Sequence, residues 1–126
     1  MLPALMVLLF MPMNPADLTV PVVHSQELDY STTTLKTYAA QVAKDRNLNV
    51  QKFVATIECE SGFQHDAVGD KGTSLGIAQF RFPERDWGVA SSTVLNPYKA
   101  INLMADAWEK DLAYKWTCWQ LLSERS

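Results

Sequence analysis

The sequence has little of what marks several large classes of protein. Its 126 residues include only five glycines and six prolines, too few for a fibrous or disordered chain. Its formal net charge of -3 gives no sign of the basic surface that binds nucleic acid. There is no internal repeat, and the length is that of one domain. We therefore expect one domain, acting as a monomer, with no nucleic-acid partner.

Side chains that bind metals are equally scarce. The chain has two cysteines and two histidines and contains no Cys-x-x-Cys motif. His24 and His65 lack the spacing of a zinc site. We expect neither a metal nor a cofactor.

The apolar run at the start, Met1 to Met13, is too short to cross a bilayer as a helix. It fits the core of a secretory signal peptide, although no Lys or Arg precedes it. Val23 and Ser25 would suit cleavage after Ser25. The alternatives are an uncleaved apolar anchor or a misplaced start codon. We expect a leader at 1–25, a linker at 26–32, no stable membrane span, and a secreted or cell-envelope protein.

The two cysteines, Cys59 and Cys118, form an even count, and such pairs usually join in exported chains. A bridge would close a loop of about 60 residues and contribute roughly 3–4 kcal/mol. The alternative is two free buried thiols.

The segment around which the chain is organised is Glu58-Cys59-Glu60-Ser61-Gly62-Phe63, the end of a predicted helix. Asn49 is its expected N-cap and Gly62 its expected stop. Apolar residues recur at helical spacing: Val50, Phe53, Val54 and Ile57. At about 100° per residue, Glu60 falls beside this stripe and Glu58 on its far flank.

A carboxylate beside an apolar stripe is unusual, because carboxylates are rarely buried without a partner. Desolvation would raise the pKa of Glu60 and keep part of it protonated, as a general acid requires. The alternative is an ordinary solvated residue at the end of a helix.

The motifs that follow Glu60 in the sequence favour a general acid over a solvated helix-end residue. Glu60-Ser61-Gly62-Phe63 is followed by Asp66-Ala67-Val68-Gly69 and then by Gly76-Ile77-Ala78-Gln79. This order and spacing, within a stretch from about Tyr38 to Trp119, resembles the lytic transglycosylase family of the lysozyme-like superfamily.

The resemblance implies a mainly α domain of α+β lysozyme-like architecture, in which a short glycine-rich hairpin or loop lines a cleft. It implies cleavage of peptidoglycan glycan strands with a single Glu, here Glu60, as general acid and base. Ser61 would hold Glu60 or the N-acetyl group of the substrate, and Gln79 would bind sugar. Phe63 and Gly76, from the same motifs, complete the predicted substrate-binding set.

The rest of the chain predicts the remaining elements. A first helix is expected over about Thr33 to Arg46, and Asn96-Pro97 should begin another that runs to about Lys115. Arg81 to Val94 is predicted to be a loop or a short helix, in which Trp87 is either core or a sugar contact. The domain should occupy 33–120, followed by a tail at 121–126.

Two departures from the family leave other functions open. Ala100 replaces an Asn of the family's Asp-Pro-x-x-Asn-Ile helix. The family's later Ala-Tyr-Asn-Ala-Gly block is absent, and Ala113-Tyr114 is its nearest remnant. Tyr114 is therefore given no role. The ending Trp116-Thr117-Cys118-Trp119 resembles short bacterial lysozyme-like domains whose last Cys pairs with the Cys before the catalytic Glu. The rivals are a lysozyme that places water with Asp66 or Asp70, and a non-catalytic wall-binding module.

Overall fold

A computed structural model describes residues 28–125 of the chain, so the predicted leader at 1–25 lies outside the described residues. This part is mainly helical with one small antiparallel sheet, which confirms the predicted mainly α class. The elements are α1 (Thr32–Asp45), α2 (Val50–Ser61), β1 (Val68–Gly69), β2 (Ser74–Leu75), β3 (Phe80–Arg81), α3 (Ser91–Leu95), α4 (Pro97–Glu109) and α5 (Thr117–Arg125).

Helices α1 and α2 begin and end close to the positions that their capping residues predict. The Ser31 hydroxyl accepts a hydrogen bond from the Thr34 N–H, and the Asn49 side chain accepts one from the Lys52 N–H. Gly62 ends α2 with a φ of 62°, a left-handed conformation that glycine adopts without a steric cost. The predicted α2 is therefore confirmed from cap to cap.

Helix α4 starts at Pro97 under an Asn96 cap, as predicted, but it ends at Glu109 and not near Lys115. Asp111 takes a φ of 62°, which breaks the helix. The Leu112 N–H then donates to the Ala107 carbonyl and the Asp111 N–H to the Trp108 carbonyl. This is a Schellman motif with aspartate at the position where glycine is usual, so no glycine marks the end of this helix.

Helix α5 continues through Arg125, so residues 121–125 of the predicted tail are helical. A 3₁₀ turn at Ala113–Lys115 separates α4 from α5 and lets the chain reverse toward α2. The extra helix matters for the site, since its first turn packs against the last turn of α2.

The segment predicted to be a short glycine-rich hairpin or loop forms a hairpin of β1 and β2, and β3 adds a third strand. In the sheet β2 lies between β1 and β3, with Val68 opposite Leu75 and Leu75 opposite Phe80. Each strand has only two residues, too few for a sheet to be stable alone. The sheet must therefore depend on the helices behind it.

The core lies between α1, α2 and α4 and continues beneath the sheet. Its fully buried larger side chains are Leu35, Phe53, Ile57, Phe63, Ile77, Phe80, Val94, Ile101 and Met104. Phe53 meets Trp108 edge to face, with ring centroids 5.1 Å apart. Ser61 and Glu60 stand at the edge of this core, where α2 meets both the sheet and α5.

Candidate active site

Glu60 lies at the contact between the end of α2 and the start of α5. Its side chain is half-buried, and its Oε2 accepts a hydrogen bond of 3.1 Å from the Cys118 N–H in the first turn of α5. Burial raises the pKa of Glu60 above its usual value. The Cys118 hydrogen bond lowers that pKa and the charge of Asp70 raises it, both less than burial does. A raised pKa keeps more of the carboxyl group protonated near neutral pH, which is one property that a general acid needs.

A disulfide joins Cys59 to Cys118 with their Cα atoms 5.9 Å apart, which confirms the predicted pairing. Cys59 precedes Glu60 in sequence, and Cys118 carries the N–H that Glu60 accepts. The covalent link therefore holds donor and carboxylate together across 59 residues of chain. The alternative of two free buried thiols is wrong.

Glu58, the other carboxylate of the last α2 turn, has different surroundings. It is exposed, and its Oε1 lies 3.8 Å from the ammonium of Lys36, whose side chain is also about half exposed. A pair this open contributes little stability. The predicted difference between the two glutamates, one on the outer flank and one against the core, is confirmed.

Asp70 is the acidic residue whose charge acts on Glu60. It begins the 3₁₀ turn Asp70–Gly72 between β1 and β2. Its Oδ2 accepts a hydrogen bond from the Ser74 hydroxyl, which fixes the carboxylate on the hairpin. Asp66, the other acidic candidate, is exposed in the loop before β1.

The hydroxyl of Ser61 points to the sheet side of the site. It donates a hydrogen bond of 2.6 Å to the Ile77 carbonyl and lies 3.4 Å from the Ile57 carbonyl. Because the Ser61 hydroxyl donates its proton to this bond, Ser61 could contact a substrate only as a hydrogen-bond acceptor. In this arrangement Ser61 joins α2 to the loop that carries Gln79.

Gln79 has a φ of 53°, and its side-chain amide folds back onto the hairpin. Its Nε2 donates to the Ala67 carbonyl at 3.1 Å and to the Gly76 carbonyl at 2.9 Å. Its Oε1 lies so close to Gly69 that a Cβ there would be 2.3 Å away. Gln79 therefore closes the hairpin, and its role in sugar binding stays a prediction.

The other two predicted substrate contacts lie inside the protein. The Phe63 side chain is 1% exposed and packs in the core, so its ring has no face free for a sugar. Gly76 is also buried, with a φ of 83°, and a Cβ there would lie 2.1 Å from the Val94 carbonyl. Both residues support the site from behind, and we correct the expectation that they contact substrate directly.

No protein-family model, curated protein or solved structure matches this chain. Within residues 28–125, no helix has the length and apolar character needed to cross a membrane. The same residues contain no cluster of three or more side chains suited to a metal ion.

A cavity of about 500 Å³ opens beside Gln79, and Glu60 is not among the residues that line it. We call it the basic cavity. Its polar wall consists of Arg81, Arg85, Asp86 and Lys115, and the rings of Trp87 and Trp116 also line it. The Trp116 Nε1–H donates a hydrogen bond of 2.8 Å to the Ala78 carbonyl, which fixes that ring next to Gln79.

The basic cavity was not predicted as a unit. Trp87, predicted to be either a core residue or a sugar contact, packs against the core ring of Phe80 at 5.0 Å and also lines the cavity, and its contact with sugar stays a prediction. Lys115 was predicted to lie near the end of a long helix. Its position follows from the early end of α4. Tyr114, which had no assigned role, is 53% exposed on the same turn.

Proposed function

We propose that the protein cleaves peptidoglycan glycan strands at the bond between N-acetylmuramic acid and N-acetylglucosamine, as a lytic transglycosylase. The observation that carries the proposal is Glu60, a half-buried carboxyl group with a raised pKa at the end of a core helix. The resemblance of its surrounding motifs to that family gives the substrate class. A lysozyme-like arrangement of helices and sheet belongs to the same proposal.

In the proposed reaction Glu60 begins protonated and donates its proton to the glycosidic oxygen, so that the bond from that oxygen to the muramic acid C1 breaks. The substrate's own N-acetyl oxygen stabilises the positive charge at C1, as in substrate-assisted exceptions to the two-carboxylate scheme. The C6 hydroxyl then attacks C1 and gives its proton back to Glu60. The product is a 1,6-anhydromuramyl end, and no water is consumed.

The raised pKa of Glu60 supports both halves of this cycle, because one group must first give and then take up a proton near the working pH. The Cys118 N–H stabilises the carboxylate form after the proton has left. The disulfide keeps this donor in place.

The experiment is mass spectrometry of muropeptides released from purified peptidoglycan by the purified protein. Ring closure should give products about one water, roughly 18 Da, lighter than lysozyme products. Products with a free reducing end would contradict the transglycosylase. Wall binding without release of sugar would instead indicate the non-catalytic module.

A second candidate, a lysozyme-type hydrolase, is favoured by one specific observation. Asp70 is close enough for its charge to raise the pKa of Glu60, and the Ser74 hydroxyl orients its carboxylate. A second carboxylate near the acid could activate a water, as in inverting glycosidases. In that case Asp70→Asn would abolish release of sugar, whereas a transglycosylase would retain most of its activity.

A further inference from the structure

The basic cavity carries positive charge that the described chain does not neutralise. Arg85 is paired with Asp86, with Nε–Oδ1 and Nη2–Oδ2 distances of 2.8 Å and 3.2 Å. Within residues 28–125, no carboxylate lies within ion-pair distance of Arg81 or Lys115. Three cations thus face a single carboxylate, and two positive charges remain available to a ligand.

These cations are held by aromatic rings. The Lys115 ammonium lies 5.0 Å from the centre of the Trp87 ring. The guanidinium carbons of Arg81 and Arg85 lie 5.6 Å and 3.8 Å from the centre of the Phe82 ring. A ring attracts a cation without neutralising its charge. The cavity therefore offers oriented positive groups beside apolar indole surface.

The cavity and Glu60 are connected through the residues at the start of α5. Trp116, which precedes α5, lines the cavity, and Cys118, two residues later, donates its N–H to Glu60. On the other side, Gln79 lines the cavity and donates hydrogen bonds within the hairpin that carries Asp70. A glycan strand that is bound at Glu60 and extends along α5 or the hairpin would bring its side branches to the cavity.

We propose that the basic cavity binds the carboxylates of the branch carried by each muramyl residue, with Arg81 and Lys115 as the binding groups. This inference rests on the proposed function. The free carboxylate of the branch has two alternative sources. In an intact branch the lactyl carboxyl is amide-linked and the carboxylates belong to the stem peptide; where the stem has been removed, the lactyl carboxylate itself is free. Trp87 would pack against the methyl groups of either.

The test measures binding to soluble glycan strands by the full chain with Glu60→Gln, so that the strands are not consumed. One set of strands keeps its stem peptides, and an amidase has removed them from the other, which leaves only the lactyl carboxylate. Arg81→Ala with Lys115→Ala is compared with Lys44→Ala plus Lys99→Ala. The control pair changes the net charge equally at exposed positions of α1 and α4.

We expect the cavity variant to bind about fivefold more weakly, since each exposed ion pair contributes modestly and the two add. Weaker binding to stem-bearing strands alone identifies the stem carboxylates, weaker binding to the amidase-treated strands alone identifies the lactyl carboxylate, and weaker binding to both sets shows that the cavity accepts either. Added salt should also weaken binding of the same set of strands to the chain whose cavity is unaltered. This comparison requires no cavity variant. An unchanged affinity for both sets, or an equal loss in the control pair, overturns the proposal.

Cleavage of the same strands by the wild-type chain is measured in parallel. Cleavage without any effect of the Arg81 and Lys115 changes overturns the cavity proposal alone. Charge-dependent binding without cleavage overturns the enzymatic proposal and leaves the cavity proposal standing.

Discussion

The two sides of the candidate site are built by different rules. On the helical side, α2 follows local signals, with Asn49 at one end and Gly62 at the other. On the loop side, residues 62–88, non-glycine residues repeatedly take left-handed backbone angles, namely Phe63, Asp70, Lys71, Gln79 and Phe82. Such angles persist only when surrounding contacts enforce them. Glu60, the proposed proton-transfer group, thus belongs to the locally encoded side, and most groups that could face a ligand belong to the other.

Hydrogen bonds across the site hold the loop side in place. Ser61 donates to Ile77, and Trp116 donates to Ala78, so that α2 and the segment before α5 each hold one carbonyl of the loop. The loop therefore depends on the helical side for its shape. Substitutions on the helical side should therefore alter the structure of both sides, whereas substitutions in the loop should alter mainly the loop.

Loss of the disulfide should have the largest effect on stability. Cys59→Ala with Cys118→Ala frees a loop of 59 residues and should lower the free energy of unfolding by about 3–4 kcal/mol. Denaturant unfolding measures this, with the reduced wild-type chain as the matched control. If neither reduction nor substitution changes the denaturant midpoint, the contact between α2 and α5 does not depend on the disulfide.

Gly76→Ala should have the next largest effect, and it tests the loop side. The new Cβ would meet the Val94 carbonyl, and the φ of 83° disfavours any side chain, so we expect a loss of roughly 3 kcal/mol. Gly72→Ala is the control, since its φ is 96° but no atom lies within 4 Å of the added Cβ. That variant should lose only about 1 kcal/mol. Equal losses would mean that contact with α3 does not shape the loop.

A smaller effect concerns the pH dependence of stability. Because the pKa of Glu60 is raised in the folded state, its contribution to stability is present below the unfolded pKa and is lost as the pH rises through the folded pKa. The ionised side chain therefore costs stability at neutral pH. The cost is small, since the side chain is only half-buried and solvent screens it.

Glu60→Gln removes that cost, while the amide oxygen can still accept the Cys118 hydrogen bond. The variant should match the wild type in acid and melt slightly higher at neutral pH. Thermal melts at the two pH values measure this, with Glu58→Gln as the control that shows no such difference. A Glu60→Gln chain that melts lower at neutral pH would contradict the raised pKa.

The features that the sequence predicted correctly are those that local signals determine. The bounds of α2, the start of α4 and the different environments of Glu58 and Glu60 all follow from caps and helical periodicity. The end of α4 was missed because Asp111 takes a glycine-like angle. The bonds of Ser61 and Gln79 could not be predicted, since their partners are carbonyl groups brought near by the tertiary fold.

The basic cavity was hidden from the sequence for a related reason. Arg81 and Lys115 stand far apart in the chain, and neither belongs to a motif. They meet only because α4 stops at Glu109 and a 3₁₀ turn returns the chain to the sheet. The motifs alone therefore point to Glu60 and give no sign of the cationic side chains that line the cavity.

The proposed transfer of the proton by Glu60, and not by Glu58, can be tested directly. Release of soluble sugar from purified peptidoglycan is compared among the wild type, Glu60→Gln and Glu58→Gln, with the Tm of each as a check on folding. We expect Glu60→Gln to lose about 10²–10⁴-fold in rate with its fold intact, because an amide cannot donate the proton. Glu58→Gln should keep nearly full activity. An active Glu60→Gln beside an inactive Glu58→Gln would reverse the assignment and contradict this account of the site.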